Sequence, residues 1–109
     1  MIMRRNRKPS TQTLVVLACM LREPPNKDHY GLELMKKTDI QPGTMYPILA
    51  RLEKAQWLSS EWENIDEREA GRSKRLYYKL TPLGTKKARE LVPKEMIEVV
   101  LKPQLEGSG

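Results

Sequence analysis

Gly43-Thr44-Met45-Tyr46-Pro47-Ile48-Leu49-Ala50-Arg51-Leu52-Glu53-Lys54 is the stretch on which the fold turns. Met45, Ile48, Leu49 and Leu52 recur at i, i+3, i+4 and i+7, the spacing that lines one face of an α-helix. Pro47 limits where that helix begins, because it has no N–H to donate and is cheap only within the first turn. The expected start is therefore near Gly43 or Thr44, with Thr44 as the cap, and the end is near Ala55 or Gln56. With the apolar four facing a core, Thr44, Tyr46, Pro47, Ala50, Arg51 and Lys54 fall on the exposed sides.

Upstream, Ser10 follows Pro9 as an N-cap, and Leu14, Leu17, Ala18 and Leu21 repeat at helical spacing until Pro24-Pro25 stops the helix. Asn26 to Asp28 reads as a polar turn. Asp28 is expected to cap a short second helix running to about Thr38, with Leu32, Leu34 and Met35 on its buried side. His29, at that helix start, is expected to be a surface or cap residue. Gly31 either weakens the helix or marks the close approach of another backbone.

Downstream the period changes. Residues 57–64 and 74–80 are strand-like, Leu76, Tyr78 and Leu80 alternating with Tyr77 and Lys79. Residues 65–73 between them, charged and containing Gly71, are a long hairpin loop. Thr81-Pro82 restarts a helix, a capping Thr before Pro at the first helical position, which runs to about Leu91. Ala88, Leu91, Val92, Met96, Val99 and Val100 carry its apolar stripe onward, and Pro93 demands a kink or break. Trp57 and Trp62 read as core or surface-covering aromatics.

Three helices, a strand, a charged loop, a strand and a helix make a mainly α fold with a small β-hairpin, in the order of a winged helix-turn-helix with an added C-terminal helix for dimerisation. Its expected divisions are a basic N-terminal arm over 1–9, a winged-helix domain over 10–81, a dimerisation helix over 82–103 kinked or broken near Pro93, and a flexible tail over 104–109. In that arrangement the third helix enters the major groove of double-stranded DNA and the hairpin follows the adjacent backbone. Thr44 and Tyr46 would sit in the first turn, where free N–H groups and the helix dipole favour a phosphate. Arg51 suits a bidentate contact with guanine or phosphate, with Lys54 beside it. In the wing Arg72, Lys74 and Arg75 cluster near Arg68, but Glu61, Glu63, Asp66, Glu67 and Glu69 make its first half acidic. Arg4, Arg5, Arg7 and Lys8 form an arm that either tracks DNA or only solubilises the chain.

Tyr30-Gly31-Leu32-Glu33-Leu34, Gly43-Thr44-Met45-Tyr46-Pro47-Ile48-Leu49, Arg51-Leu52-Glu53-Lys54, Arg75-Leu76-Tyr77-Tyr78 and Leu80-Thr81-Pro82-x-Gly84 together resemble the PadR family of regulators, over roughly residues 13–91. The resemblance implies a homodimer joined through its N- and C-terminal helices, binding a palindromic operator and acting as a repressor, with Tyr46 and its neighbours on the DNA. The chain departs from the family at Ala55-Gln56-Trp57, where a glycine is usual. Gln56 leaves the turn without its easiest left-handed residue. A small-molecule effector finds no support in these residues, since no aromatic follows Tyr78 to line a dimer pocket.

Composition narrows the classes. Twenty Lys and Arg against 14 Asp and Glu leave a net charge of +6 over 109 residues, which favours a polyanionic partner. The longest apolar run, from Leu14 to Leu21, is far short of a membrane span, and a cytoplasmic location is expected. Cys19, the single cysteine, lies within that run and reads as a buried hydrophobe. One histidine, no Cys/His cluster, no phosphate-binding glycine loop and no nucleophile beside a base argue against an enzyme, a metal site or a cofactor. Two other binding functions fit the same pattern: an architectural DNA-binding protein of partition or replication, and a winged helix used for protein–protein contact.

Overall fold

The computed structural model describes residues 9–98. Helix α1 spans Thr11–Leu21, and Ser10 caps it as expected, its Oγ accepting from the Thr13 N–H at 3.1 Å. Val16, Leu17, Ala18, Cys19 and Met20 are all buried, so α1 is the central element rather than a half-exposed one. It meets Leu34 of α2 (Gly31–Thr38), Met45, Ile48, Leu49 and Leu52 of α3 (Pro42–Lys54), and Ala88 of α5 (Pro82–Leu91) in one core. Each large side chain fully withdrawn from water there contributes roughly 2 kcal/mol.

The β-component is larger than a hairpin. Strand β2 (Leu58–Trp62) pairs antiparallel with β3 (Leu76–Leu80), Leu58 opposite Leu80 and Trp62 opposite Leu76. A third strand, β1 (His29–Tyr30), adds to the other side of β3, giving the order β1-β3-β2. Pairing with β3 holds residues 29 and 30 extended, which overturns two expectations. Helix α2 starts at Gly31 rather than behind an Asp28 cap, Tyr30 being its N-cap with no side-chain bond, while Asp28 pairs with Lys79 at 3.4 Å. His29 is buried rather than a surface or cap residue, its Nδ1 unbonded among the described residues and 4.0 Å from Glu33 Oε1. Burial, with the charge of Lys27 next, pushes its pKa below the ordinary value. Leu32 also departs from the expected buried side of α2, at 52% exposed.

The turn out of α3 is a Schellman motif. Gln56 N–H donates to Glu53 O and Trp57 N–H to Leu52 O, each at 2.9 Å, and Gln56 takes the left-handed conformation itself with φ 68°. Thr81 fastens this turn to α5: its Oγ1 donates to Gln56 O at 2.7 Å and accepts from Gly84 N–H at 2.9 Å, and its N–H donates to Trp57 O. Gly84 is required here, because a Cβ would collide with the Trp57 carbonyl. Beyond α5 the chain is extended at Val92 (φ −88°, ψ 122°) and helical again over 94–98, so the break falls at Pro93.

Candidate nucleic-acid interface

Helix α3 begins two residues before the expected cap. Pro42, whose fixed φ suits the first helical position, starts it behind Gln41, and the N–H groups of Thr44 and Met45 both donate to Gln41 O. Thr44 is therefore inside the helix, half-buried, with its N–H occupied, and is not the cap. Pro47 falls in the second turn, where it cannot donate to the Gly43 carbonyl; Gly43 is exposed, so solvent can reach that oxygen. Tyr46 likewise leaves the first turn.

The exposed surface of α3 carries Tyr46, Pro47, Ala50, Arg51 and Lys54, while Met45, Ile48, Leu49 and Leu52 are buried, as the spacing requires. Among the described residues no carboxylate pairs with Arg51 or Lys54. Tyr46, 46% exposed, lies over Gly31: a Cβ there would stand 2.6 Å from the tyrosine hydroxyl. The close approach at Gly31 is thus made by a side chain, not by another backbone.

Tyr46 and Arg75 line one crevice of about 280 Å³ between the helices and the wing. The Arg75 guanidinium stands over the Tyr30 ring, 5.0 Å from its centroid, and Tyr30 meets Tyr77 edge-on at 5.4 Å. Tyr30 is the member of this surface that the sequence reading missed. A two-residue strand is too short to announce itself by alternation.

The wing resolves its mixed charge internally. Residues 65–73 are not a bare loop but hold a short helix, α4 (Glu67–Ala70), capped by Asp66 Oδ1 accepting from Arg68 N–H and Glu69 N–H, and closed by Gly71 at φ 72°. Arg72 donates to both carboxylate oxygens of Glu63, at 2.7 and 2.8 Å, and Glu63 also accepts from Arg75 N–H and Tyr77 Oη. Those bonds, the Arg72 pair foremost, hold the Glu63 carboxyl at about 2, well below the usual carboxylate range. Glu67 Oε2 accepts from Lys74 N–H at 2.8 Å. Glu63, Asp66 and Glu67 therefore build the wing, and the Arg72 guanidinium, expected on DNA, is paired with Glu63. Lys74 and Arg75 keep exposed side chains, while Arg4 and Arg5 lie outside the described residues.

Helix α3 beside a three-stranded sheet has a family. A model of the transcriptional regulator PadR-like family matches residues 19–90. The chain belongs to that family. PadR-like proteins are DNA-binding transcription regulators and not enzymes. No curated protein matches the sequence. Among solved structures, smu.1704 from Streptococcus mutans UA159 shares 29% identity at a TM-score of 0.58, over 78% of this chain and 79% of that one. A PadR family transcription regulator from Clostridium difficile R20291 shares 24% at 0.62, over 92% of this chain and 100% of its own. Bordetella bronchiseptica BpsR, whose DNA binding is regulated by 6-hydroxynicotinic acid, shares 24% at 0.64. The match covers 90% of this PadR-like chain and 62% of BpsR, so the chain spans less than two thirds of that protein's length. Among the described residues no helix is long and apolar enough to cross a membrane.

Proposed function

We propose that this PadR-like protein is a repressor that binds a palindromic operator as a homodimer. In this reading Tyr46, Pro47, Arg51 and Lys54 of α3 meet the major groove, and Lys74 and Arg75 of the wing meet phosphates. The observation that carries it is the crevice shared by Tyr46 and Arg75, which joins α3 and the wing root into one surface beside Arg51 and Lys54, neither of which pairs with a carboxylate among the described residues. Arg72 drops out of the contact set, because Glu63 already uses its guanidinium. Leu83 and Leu91 favour the dimer: both stand exposed on α5, eight residues apart and so on one side of it, as an apolar surface for a second copy.

A two-fold dimer places its half-sites about one helical turn, ~34 Å, apart. Selection of bound sequences from a random DNA pool should return a palindrome with that spacing. Affinity for it should fall steeply with salt, and Lys74→Ala, which removes a phosphate contact, should make the log–log salt slope shallower by about 1. A pool that yields no common sequence, together with footprints that spread as protein is added, would instead mark an architectural coat. Partner binding that survives Tyr46→Ala with Arg51→Ala, in the absence of any DNA binding, would mark a protein-contact module.

A further inference from the structure

A second cavity, of about 680 Å³, lies between the α1–β1 turn, the end of β3 and the start of α5, and shares no lining residue with α3 or the wing loop. Its walls are aliphatic. Pro25, Leu80 and Pro82 supply apolar surface and no aromatic ring lines it. Its charge is lopsided: Lys79, Lys86 and Arg89 stand against Glu90 alone. Lys86 is paired with Glu90 at 2.9 Å and Lys79 with Asp28 at 3.4 Å, whereas Arg89 has no ion-pair partner among the described residues. Arg89 is four residues from Thr85, so the two share one face of α5. Thr85 lines the cavity too, is 9% exposed, and its Oγ1 is closed from water with no hydrogen-bond partner among the described residues. A buried hydroxyl left unbonded costs free energy that an incoming acceptor would recover.

We propose that this cavity is a binding site for an aliphatic monocarboxylate. The hydrocarbon chain lies along Pro25, Leu80 and Pro82. The carboxylate accepts charge-assisted hydrogen bonds from the Arg89 guanidinium and, once the Thr85 side chain turns about χ1 toward the cavity, a hydrogen bond from its hydroxyl. An aliphatic tail suits walls without rings, and a single negative charge answers Arg89, the one cation of this cavity with no ion-pair partner among the described residues.

The test is calorimetric titration and thermal unfolding of the full chain with octanoate, alongside octylammonium and 1-octanol as probes of equal chain length. Octanoate should bind saturably and raise Tm, since a ligand that binds only the native state stabilises it by mass action, while octylammonium should do neither. Arg89→Ala should weaken octanoate about tenfold or more, with Arg89→Lys in between, as befits loss of a charged hydrogen bond. Arg89 is exposed, so that variant keeps the fold. Thr85→Val should weaken octanoate several-fold while leaving the unliganded Tm unchanged or raised, which a merely structural threonine would not do. Equal binding of octanoate and octylammonium, no binding at all, or full octanoate affinity in Arg89→Ala overturns the proposal.

Discussion

Tyr46 occupies the space that a side chain at residue 31 would need: a Cβ on Gly31 would stand 2.6 Å from the tyrosine hydroxyl and 2.9 Å from its ring. The start of α2 and the exposed face of α3 are thereby in contact through a residue proposed to touch DNA. Gly31→Ala must displace the Tyr46 ring. Because that ring is the partly exposed end of a side chain, it can swing outward at modest expense, about 1 kcal/mol. The expected outcome is a small shift in the urea midpoint and a much larger loss of operator affinity in a gel-shift titration. A stability loss with affinity intact would remove Tyr46 from the interface.

Gly84 presents the opposite case. Its would-be Cβ meets the Trp57 carbonyl and backbone, which cannot swing away without opening the junction of α3 and α5. Gly84→Ala should destabilise the domain by about 3 kcal/mol, even though alanine is the better helix former by about 1 kcal/mol. Denaturant unfolding followed by circular dichroism measures this directly, and a neutral substitution would contradict the close approach.

Glu63 should leave a signature in acid. Its carboxyl is held at about 2, chiefly by Arg72, against an ordinary value of 4.5. In the interval between, the unfolded chain binds a proton that the folded one does not, so stability falls as pH is lowered from about 4.5 to about 2 and is fully present above it. Glu63→Gln removes that dependence. Urea midpoints taken across this range should therefore converge for the two proteins at the acid end and separate above pH 5, the native protein being the more stable. Parallel curves would mean that the Arg72–Glu63 pair contributes nothing.

Gln56 holds a left-handed φ of 68° at the close of α3. A side chain there costs free energy that glycine avoids, and the hydrogen bonds of the turn come from backbone atoms that glycine retains. Gln56→Gly should raise stability by roughly 0.5–1 kcal/mol, part of the gain being offset by glycine's freedom in the unfolded chain. The measurement is the denaturant midpoint, and a decrease would show that the glutamine side chain itself holds the turn.

Where a local rule and the tertiary packing agreed, the elements were legible in the chain. Ser10 and Thr81 each satisfy a first-turn N–H of the helix they precede, and Pro93 breaks the last helix. Where packing competed with a local rule, packing decided the structure. Asp28 is a sound helix cap taken by itself, yet pairing of His29 and Tyr30 with β3 keeps the chain extended past it and buries the histidine. Pro47 is a poor residue for a second turn, yet the four core contacts of α3 and the good start at Pro42 outweigh it. Leu32 has the chemistry of a core residue and the spacing of one, yet stands outside the core.

The candidate interface divides in the same way. The exposure of Tyr46, Pro47, Arg51 and Lys54 follows from a 3.6-residue repeat, which needs no tertiary information. The partners of the wing charges do not. Glu63 and Arg72 are nine residues apart on two sides of a loop, and whether they find each other depends on where α4 folds that loop back.

The sequence by itself determined the winged-helix order of elements, the family, and which face of α3 is turned outward, because periodicity, caps and prolines act within a few residues of chain. Only the tertiary structure decided that Tyr46 lies on Gly31, that Tyr30 carries Arg75, and that Arg72 is bound within the wing. Those relationships join residues 15, 45 and 9 positions apart, and long-range contacts of that kind are set by packing and strand pairing rather than by any local preference.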